Sequence, residues 1–99
     1  VRKLHHNVKL FLGGLKALGF NTLNSETPIV PIICGEDERA YRMARLCQEE
    51  NIFVLPVVSP AVPVGLARLR ATVTTAHTEA DIAYALEVFE KAGREVGII

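Results

Sequence analysis

The sequence lacks features that mark several classes of protein. Its 11 Lys and Arg residues are balanced by 11 Asp and Glu residues, so the formal net charge is zero. Because nucleic-acid-binding proteins usually carry a basic excess, we expect no nucleic-acid partner. The longest apolar stretches, residues 28–34 and 52–58, are too short to span a bilayer, so we expect no membrane segment. The first residues lack a long apolar run with a small-residue cleavage site, and we expect no signal peptide.

Cysteine and histidine are scarce, and their spacing does not indicate a metal site. Cys34 and Cys47 are the only cysteines, and they form neither a CxxC pair nor a disulfide framework. We expect two reduced thiols, as in a cytoplasmic protein. His5 and His6 are adjacent, so on a helix they point about 100° apart and form a poor metal pair. We expect no metal and place both histidines on a helix surface.

Motifs of self-sufficient active sites are also missing. The sequence has no glycine-rich phosphate loop, no GxSxG elbow and no cluster of metal ligands. What it does have is the composition of a folded domain, with 49% hydrophobic and 22% charged residues. A length of 99 residues suits one core, so we predict a single domain over residues 1–99.

The first segment has the spacing of an amphipathic helix. Apolar residues recur at steps of three and four over residues 4–18. Gly13 and Gly14 weaken this helix, since a glycine in a helix interior costs about 1 kcal/mol relative to alanine. Gly19 is a suitable terminator because glycine readily adopts the left-handed conformation.

Two further helices follow. Acidic residues 36–38 open the second helix, where negative charge suits the positive end of the helix dipole, and we expect it to end near Asn51. Residues 78–81 resemble a capping box with a carboxylate at its last position. The third helix begins there and ends near Gly93 or Gly97.

Three strands alternate with these helices. Residues 28–34 are β-branched, and Pro31 among them predicts an edge strand or a bulge because it cannot donate a ladder hydrogen bond. We predict a second strand over 52–55 and a third over 66–75, which alternates with period two. The order helix, strand, helix, strand, strand, helix predicts an α/β domain of the α+β two-layer type. It has a small, mostly antiparallel three-stranded sheet with helices packed on one face.

The third strand carries the residues most suited to bind a substrate. Arg68 and Arg70 share one face, and a planar guanidinium matches the two oxygens of a carboxylate. The spacing equally fits exposed charges on a solvated face. His77 fits either an acid–base group or a side chain that hydrogen-bonds the backbone. The connection 56–65 is longer than a turn requires and fits either a pocket edge or a rigid crossover.

Several segments, in the right order, resemble motifs of the α-oxoamine synthases, a family of enzymes that use pyridoxal 5′-phosphate (PLP). Residues 27–32, followed by Gly35, resemble the strand that opens the family's C-terminal domain. Residues 60–70 resemble its Pro-x-Val-Pro-x-Gly-x-Ala-Arg-Leu-Arg signature, and residues 75–82 resemble its Ala-His-Thr-x-x-Asp-Ile segment. Residues 91–97 resemble the tails of glycine C-acetyltransferases and serine palmitoyltransferases.

This resemblance implies that the chain is the small C-terminal domain of a fold-type-I PLP-dependent transferase. Residues 1–19 would then form a helix that connects it to a large domain. The family condenses a small amino acid, such as glycine, alanine or serine, with an acyl-CoA or carrier-protein thioester and releases carbon dioxide. Its members are homodimers, and we expect a cytoplasmic location. The lysine that binds PLP belongs to the large domain. The resemblance therefore implies that these 99 residues alone are inactive and do not hold the cofactor.

The resemblance also assigns a substrate-binding residue. In the family, the second arginine of the motif holds the amino-acid carboxylate, and that role falls on Arg70, which leaves Arg68 structural. An arginine that holds the carboxylate in one position determines which bond at the α-carbon stands perpendicular to the cofactor ring. Ser59 stands where many members have proline, and Leu66 stands where a small or polar residue is common, so the substrate stays open. The residues expected to line the pocket are Ser59, Pro60, Val62 and Leu66.

Two other functions fit the same residues. A stand-alone α/β module can sense an amino acid through the same arginine, although the start at Val1 leads us to expect a longer polypeptide. The small domain of a class I or II aminotransferase also clamps a carboxylate with an arginine. The pattern of residues 60–70 favours the synthases.

Overall fold

The structure, a computed structural model, describes residues 2–23, 27–52 and 54–99. Its elements follow the predicted order of helix, strand, helix, strand, strand, helix. They are α1 (Arg2–Leu18), β1 (Ile29–Gly35), α2 (Asp37–Glu49), β2 (Leu55–Val57), β3 (Ala67–Thr72) and α3 (Glu79–Val96).

The three strands form one antiparallel sheet in the order β1-β3-β2. The central strand β3 carries Arg70, which pairs with Pro31 of β1 on one side and with Leu55 of β2 on the other. Pro31 therefore lies in an edge strand, as predicted. The register is regular at Pro31 and shifts only between Ile33 and Gly35, so the edge position and not a bulge accommodates the proline.

Alternation along the strands separates a covered face from an open one. In β3, Ala67, Leu69 and Ala71 are buried. Helix α2 packs against all three strands, and α3 packs against α1 and α2, so the helices cover one face of the sheet. The residues of β3 that alternate with the buried ones lie on the other face, together with their cross-strand partners. We call this the open face: Ile29, Pro31, Ile33, Leu55, Val57, Arg68, Arg70 and Thr72.

Two glycines allow the helices to approach closely. A Cβ atom at Gly14 of α1 would overlap the side chain of Leu86 in α3. A Cβ atom at Gly93 of α3 would lie 2.6 Å from the ring of Phe20, which packs edge-on against Phe89 at a centroid distance of 6.5 Å. Tertiary packing therefore outweighs the low helix propensity of Gly14, and α3 continues through Gly93 instead of ending there.

The predicted helix ends are present. α1 stops before Gly19, whose φ is 102°, and α3 stops before Gly97, whose φ is 89°. At the start of α3, the backbone N–H of Asp81 donates to Thr78 Oγ1 at 3.1 Å, and the N–H of Thr78 donates to Asp81 Oδ2 at 2.9 Å. This reciprocal pair is the predicted capping box. Past the end of α2, Asn51 has a φ of 64°.

The second strand is displaced from its predicted position. We predicted residues 52–55, whereas β2 is Leu55–Val57 with Pro56 at its centre. An edge strand tolerates a proline because its missing N–H is not needed by the sheet, so the proline does not exclude this segment. Phe53, part of the predicted strand, lies outside the described residues.

The third strand is shorter than predicted. It was expected over 66–75, but regular pairing ends at Thr72. The N–H of Val73 still donates to the carbonyl of Pro28 at 2.8 Å, after which the chain turns toward α3. Among the described residues, no helix is long and apolar enough to cross a bilayer.

Candidate substrate-binding site

Arg70 occupies the centre of the open face. Its side chain is exposed, and within residues 2–23, 27–52 and 54–99 it makes no hydrogen bond or ion pair. Its neighbour Arg68 differs, since Arg68 Nε donates to the backbone carbonyl of Leu66 at 3.2 Å. The guanidinium of Arg70 therefore keeps all five N–H donors for a ligand, whereas Arg68 helps to hold the end of the preceding loop.

The surroundings of Arg70 suit an anion. Its two register partners, Pro31 and Leu55, are apolar, and so are Ile33 and Val57 one pair further along. No carboxylate in the described part of the chain lies within ion-pair distance of it. An arginine that is unpaired and flanked by apolar groups binds a carboxylate more strongly than one already neutralised, because its charge is not compensated in the free protein.

The connection between β2 and β3 is tied down at its start. We call residues 58–66 the proline loop. The hydroxyl of Ser59 donates to Asp37 Oδ2 at 2.6 Å, and its backbone N–H donates to Asp37 Oδ1 at 3.3 Å. Both residues are half-buried, and the peptide bond between Ser59 and Pro60 is cis. Asp37 is the first residue of α2, so the link joins the loop to a rigid helix.

The far end of the proline loop passes close to the end of β1. Gly35 and Gly65 both have a φ of 89°, which favours glycine, and a Cβ atom on Gly35 would lie 4.0 Å from the carbonyl oxygen of Gly65. Inside the loop, the N–H of Val62 donates to the carbonyl of Val58 at 3.3 Å. The loop is thus built from local turns and is close to the β1–α2 corner at both ends.

The predicted pocket residues lie in different settings. Ser59 is half-buried and faces Asp37, Val62 is half-buried, and Pro60 and Leu66 are exposed. Two concave surfaces of the described residues, with volumes near 440 and 690 Å³, include neither Arg70 nor any of these four. Their role in lining a substrate pocket stays a prediction.

His77 stabilises the turn before α3. Its Nδ1 accepts a hydrogen bond from the backbone N–H of Thr74 at 3.0 Å. The side-chain amide of Asn7, which is 2% exposed, donates to the carbonyls of Thr74 and His77 at 3.0 and 2.9 Å. Of the two functions that the sequence left open for His77, the backbone-bonding one fits these contacts. The sequence analysis missed Asn7, although this residue interrupts the apolar stripe between Leu4 and Phe11 and is thereby marked as unusual.

The remaining titratable candidates do not form a chemical site. Cys34 and Cys47 are buried free thiols, and burial raises their pKa values to about 11 and about 12, so both are protonated at neutral pH and unreactive. His5 and His6 are exposed on α1, and His6 Nε2 lies 3.0 Å from Glu79 Oε1. No group of three or more metal-binding side chains exists among the described residues.

The chain matches the family model of class I and II aminotransferases over residues 1–89, and it belongs to that family. Curated relatives include the 8-amino-7-oxononanoate synthase of Thermoanaerobacter pseudethanolicus, which is 48% identical over 99% of this chain and 25% of its own length. The 8-amino-7-oxononanoate synthase/2-amino-3-ketobutyrate coenzyme A ligase of Thermus thermophilus is 43% identical over 100% of this chain and 25% of its own length. These matches confirm the resemblance to the α-oxoamine synthases. The chain spans about a quarter of the length of these relatives.

Solved structures agree with this family. A serine palmitoyltransferase from S. paucimobilis, solved with a bound PLP–myriocin compound, is 33% identical over 99% of this chain and 25% of its own, with a TM-score of 0.91. The serine palmitoyltransferase of Sphingomonas wittichii is 26% identical over the same shares, with a TM-score of 0.92. The fold is therefore that of a domain of a PLP-dependent transferase.

A PLP enzyme needs a lysine that bonds to the cofactor, and the described residues do not offer one on the open face. All four lysines lie on α1 and α3, in the helical layer across the sheet from Arg70, and all are exposed. They are Lys3, Lys9, Lys16 and Lys91. None of these lysines is placed to bond a cofactor at the open face.

Proposed function

We propose that this chain is part of a PLP-dependent enzyme that joins a small amino acid to the acyl group of a thioester with loss of carbon dioxide. In this proposal, Arg70 binds the carboxylate of the amino acid. The observation that carries it is the unpaired guanidinium of Arg70 at the centre of the open face. The names of the relatives support the class of reaction, since they include a palmitoyltransferase of serine and a coenzyme A ligase.

Arg70 can orient the amino-acid substrate. Its fork donates two parallel N–H···O hydrogen bonds to one carboxylate, which fixes both the position and the plane of that group. Because β3 is bonded on both sides, the backbone that carries Arg70 is held more firmly than an edge strand or a loop would be. A clamped carboxylate in turn fixes the directions of the bonds at the α-carbon, and that positioning selects which bond is broken.

The rest of the proposal follows the family resemblance. PLP is held by parts of the protein outside these residues, and the 99 residues by themselves are inactive. The acyl donor is acyl-CoA or a carrier-protein thioester, and the enzyme is a cytoplasmic homodimer. An aminotransferase is the second candidate, because the matching family model covers that class and its members use a carboxylate clamp as well. An assay distinguishes the two candidates. A synthase releases a free thiol when an acyl thioester is supplied, whereas an aminotransferase exchanges the amino group with a 2-oxo acid.

The test is substitution of Arg70 in the longest polypeptide that carries this sequence. We expect Arg70→Gln to raise the KM for the amino acid and to lower kcat/KM about 30- to 1,000-fold, since two charge-assisted hydrogen bonds contribute about 2–4 kcal/mol. Arg70→Lys should recover only part of the loss, because a lysine cannot bind both oxygens in one plane. The KM for the acyl donor should stay nearly constant.

A matched control removes an arginine elsewhere. Arg45 lies on α2, where its side chain is 83% exposed and pairs with Glu49 at 3.6 Å. Arg45→Gln should leave both KM values unchanged, because exposed ion pairs of this kind contribute little. If Arg70→Gln behaved like Arg45→Gln, the carboxylate-binding role of Arg70 would be refuted.

A further inference from the structure

The corner between β1 and α2 holds both ends of the proline loop. Asp37 receives two hydrogen bonds from Ser59 at the start of the loop, and Gly35 lies against Gly65 near its end. Ala67, the first residue of β3, is also the register partner of Gly35. Gly35 and Asp37 thus lie at the two ends of a loop whose Ser59 is 22 positions after Asp37 in the chain.

The carboxylate of Asp37 does more than begin a helix. Asp37 and Glu38 both lie in the first turn of α2, where either charge complements the helix dipole. The side chain of Glu38 is exposed and makes no hydrogen bond or ion pair with any described residue, whereas both carboxylate oxygens of Asp37 accept from Ser59. A hydroxyl-to-carboxylate distance of 2.6 Å is that of a strong, charge-assisted hydrogen bond. Asp37 is therefore a tether for the loop.

The tethered loop displays an apolar surface. Val64 is 87% exposed and Leu66 is 43% exposed, and the side chains between Ser59 and Leu66 are all apolar. A cluster of exposed apolar side chains on a rigid loop is typical of a binding surface. Leu66 precedes β3 and lies four residues from Arg70, which is about 13 Å along a strand. A small amino acid held at Arg70 by its carboxylate does not reach that far.

We propose that Asp37 is a positioning residue for the acyl donor: through Ser59 it holds the proline loop so that Val64 and Leu66 contact the apolar acyl chain. This inference rests on the proposed function. It assigns the two substrates to neighbouring surfaces, with the amino acid at Arg70 on the open face and the acyl chain at the proline loop. Asp37 itself does not touch either substrate and acts only through the position of the loop.

The experiment uses the full-length protein and a series of acyl-CoA thioesters of increasing chain length. We expect Asp37→Asn and Ser59→Ala each to raise the KM for the preferred acyl-CoA about tenfold, the effect of about 1.4 kcal/mol expected for one lost hydrogen bond. The KM for the amino acid should change less than about twofold. The double variant should be no worse than the more severe single variant, because both changes break the same link.

Glu38→Gln is the matched control, since it removes an acidic charge from the same turn without touching the loop. The inference is wrong if Asp37→Asn and Ser59→Ala change the donor KM no more than Glu38→Gln does in an active enzyme. It is also wrong if both KM values rise together with a lower thermal midpoint, which would indicate a general structural role. An unsubstituted protein that transfers no acyl group from any thioester would instead overturn the proposed function.

Discussion

Asn7 joins α1 to the carbonyl oxygen of His77 with a hydrogen bond of 2.9 Å, and the same amide nitrogen bonds the carbonyl of Thr74 at 3.0 Å. These carbonyls belong to the turn that follows β3, the strand that carries Arg70. Because the amide is buried, its hydrogen bonds to the turn satisfy donors that would otherwise lack a partner. A residue of the first helix thus supports the end of the strand on which the proposed substrate site is built.

Removing this amide should be costly. We expect Asn7→Leu to lower the free energy of unfolding by about 2–4 kcal/mol, because it removes the amide hydrogen bonds to both carbonyls and places a side chain of another shape against the turn. The carbonyl of Thr74 keeps a second donor, the backbone N–H of His77 at 3.3 Å. Urea denaturation followed by circular dichroism measures the loss. Lys9→Ala, at an exposed position of the same helix, should change stability by less than about 0.5 kcal/mol. A loss of similar size in both variants would contradict the role of Asn7.

Two glycines should respond to alanine in opposite directions. At Gly93 a Cβ atom would lie 2.6 Å from Phe20 and 3.2 Å from Ile99, so Gly93→Ala should destabilise the protein by about 1–3 kcal/mol. At Gly13 no atom lies within 4 Å, and Gly13→Ala should stabilise it by about 0.5–1 kcal/mol through higher helix propensity. Thermal unfolding of the two variants provides the comparison. If both substitutions changed the stability in the same direction, close packing against Phe20 would not be the reason for a glycine at position 93 of α3.

The capping box predicts a pH dependence of stability. Hydrogen bonds from Thr78 hold the pKa of the Asp81 carboxyl below its ordinary value. A depressed folded-state pKa means that the stabilisation is present above the unfolded-state pKa and is lost as the pH falls through the folded-state pKa. We therefore expect Asp81→Asn to be less stable than the parent protein at pH 7, with the difference shrinking below about pH 4.

The measurement is the urea midpoint at several pH values from neutral to strongly acidic. Glu87→Gln is a suitable control, because the side chain of Glu87 is exposed on the same helix and makes no hydrogen bond within the described residues. Its stability relative to the parent should not follow the same pH course. If the difference in stability between Asp81→Asn and the parent protein were constant across this pH range, the carboxylate of Asp81 would not be its cause.

Much of the fold follows from local patterns. Several of its features depend only on neighbours within a few residues of the chain. They are the apolar spacing of the helices, the capping box, and the glycines that end α1 and α3, and the structure contains them as predicted. The alternation in residues 66–75 likewise predicts that Arg68 and Arg70 lie opposite the apolar face. Period-two spacing alone is therefore enough to assign Arg70 to the correct side of the sheet.

What the sequence could not supply is contact between distant segments. The link between Asp37 and Ser59 joins residues 22 positions apart, and no local pattern marks either of them as a partner. The same holds for Asn7, whose bonds to the turn span 67 and 70 positions of the chain. The second strand differs from its predicted position because Pro56 favours the end of a strand in the sequence, whereas an edge strand tolerates a proline.

Both outer strands of the sheet contain a proline, Pro31 in β1 and Pro56 in β2. In β1 the N–H of Ile33 donates outward to the carbonyl of Asn21, so the nitrogen of Pro31, two residues earlier, faces the same outer side and has no hydrogen to give. An exposed row of backbone donors is what lets one sheet recruit a strand from another molecule. The two prolines interrupt that row at both edges. With fewer free donors at both edges, pairing of this sheet with the edge of a second sheet becomes less favourable.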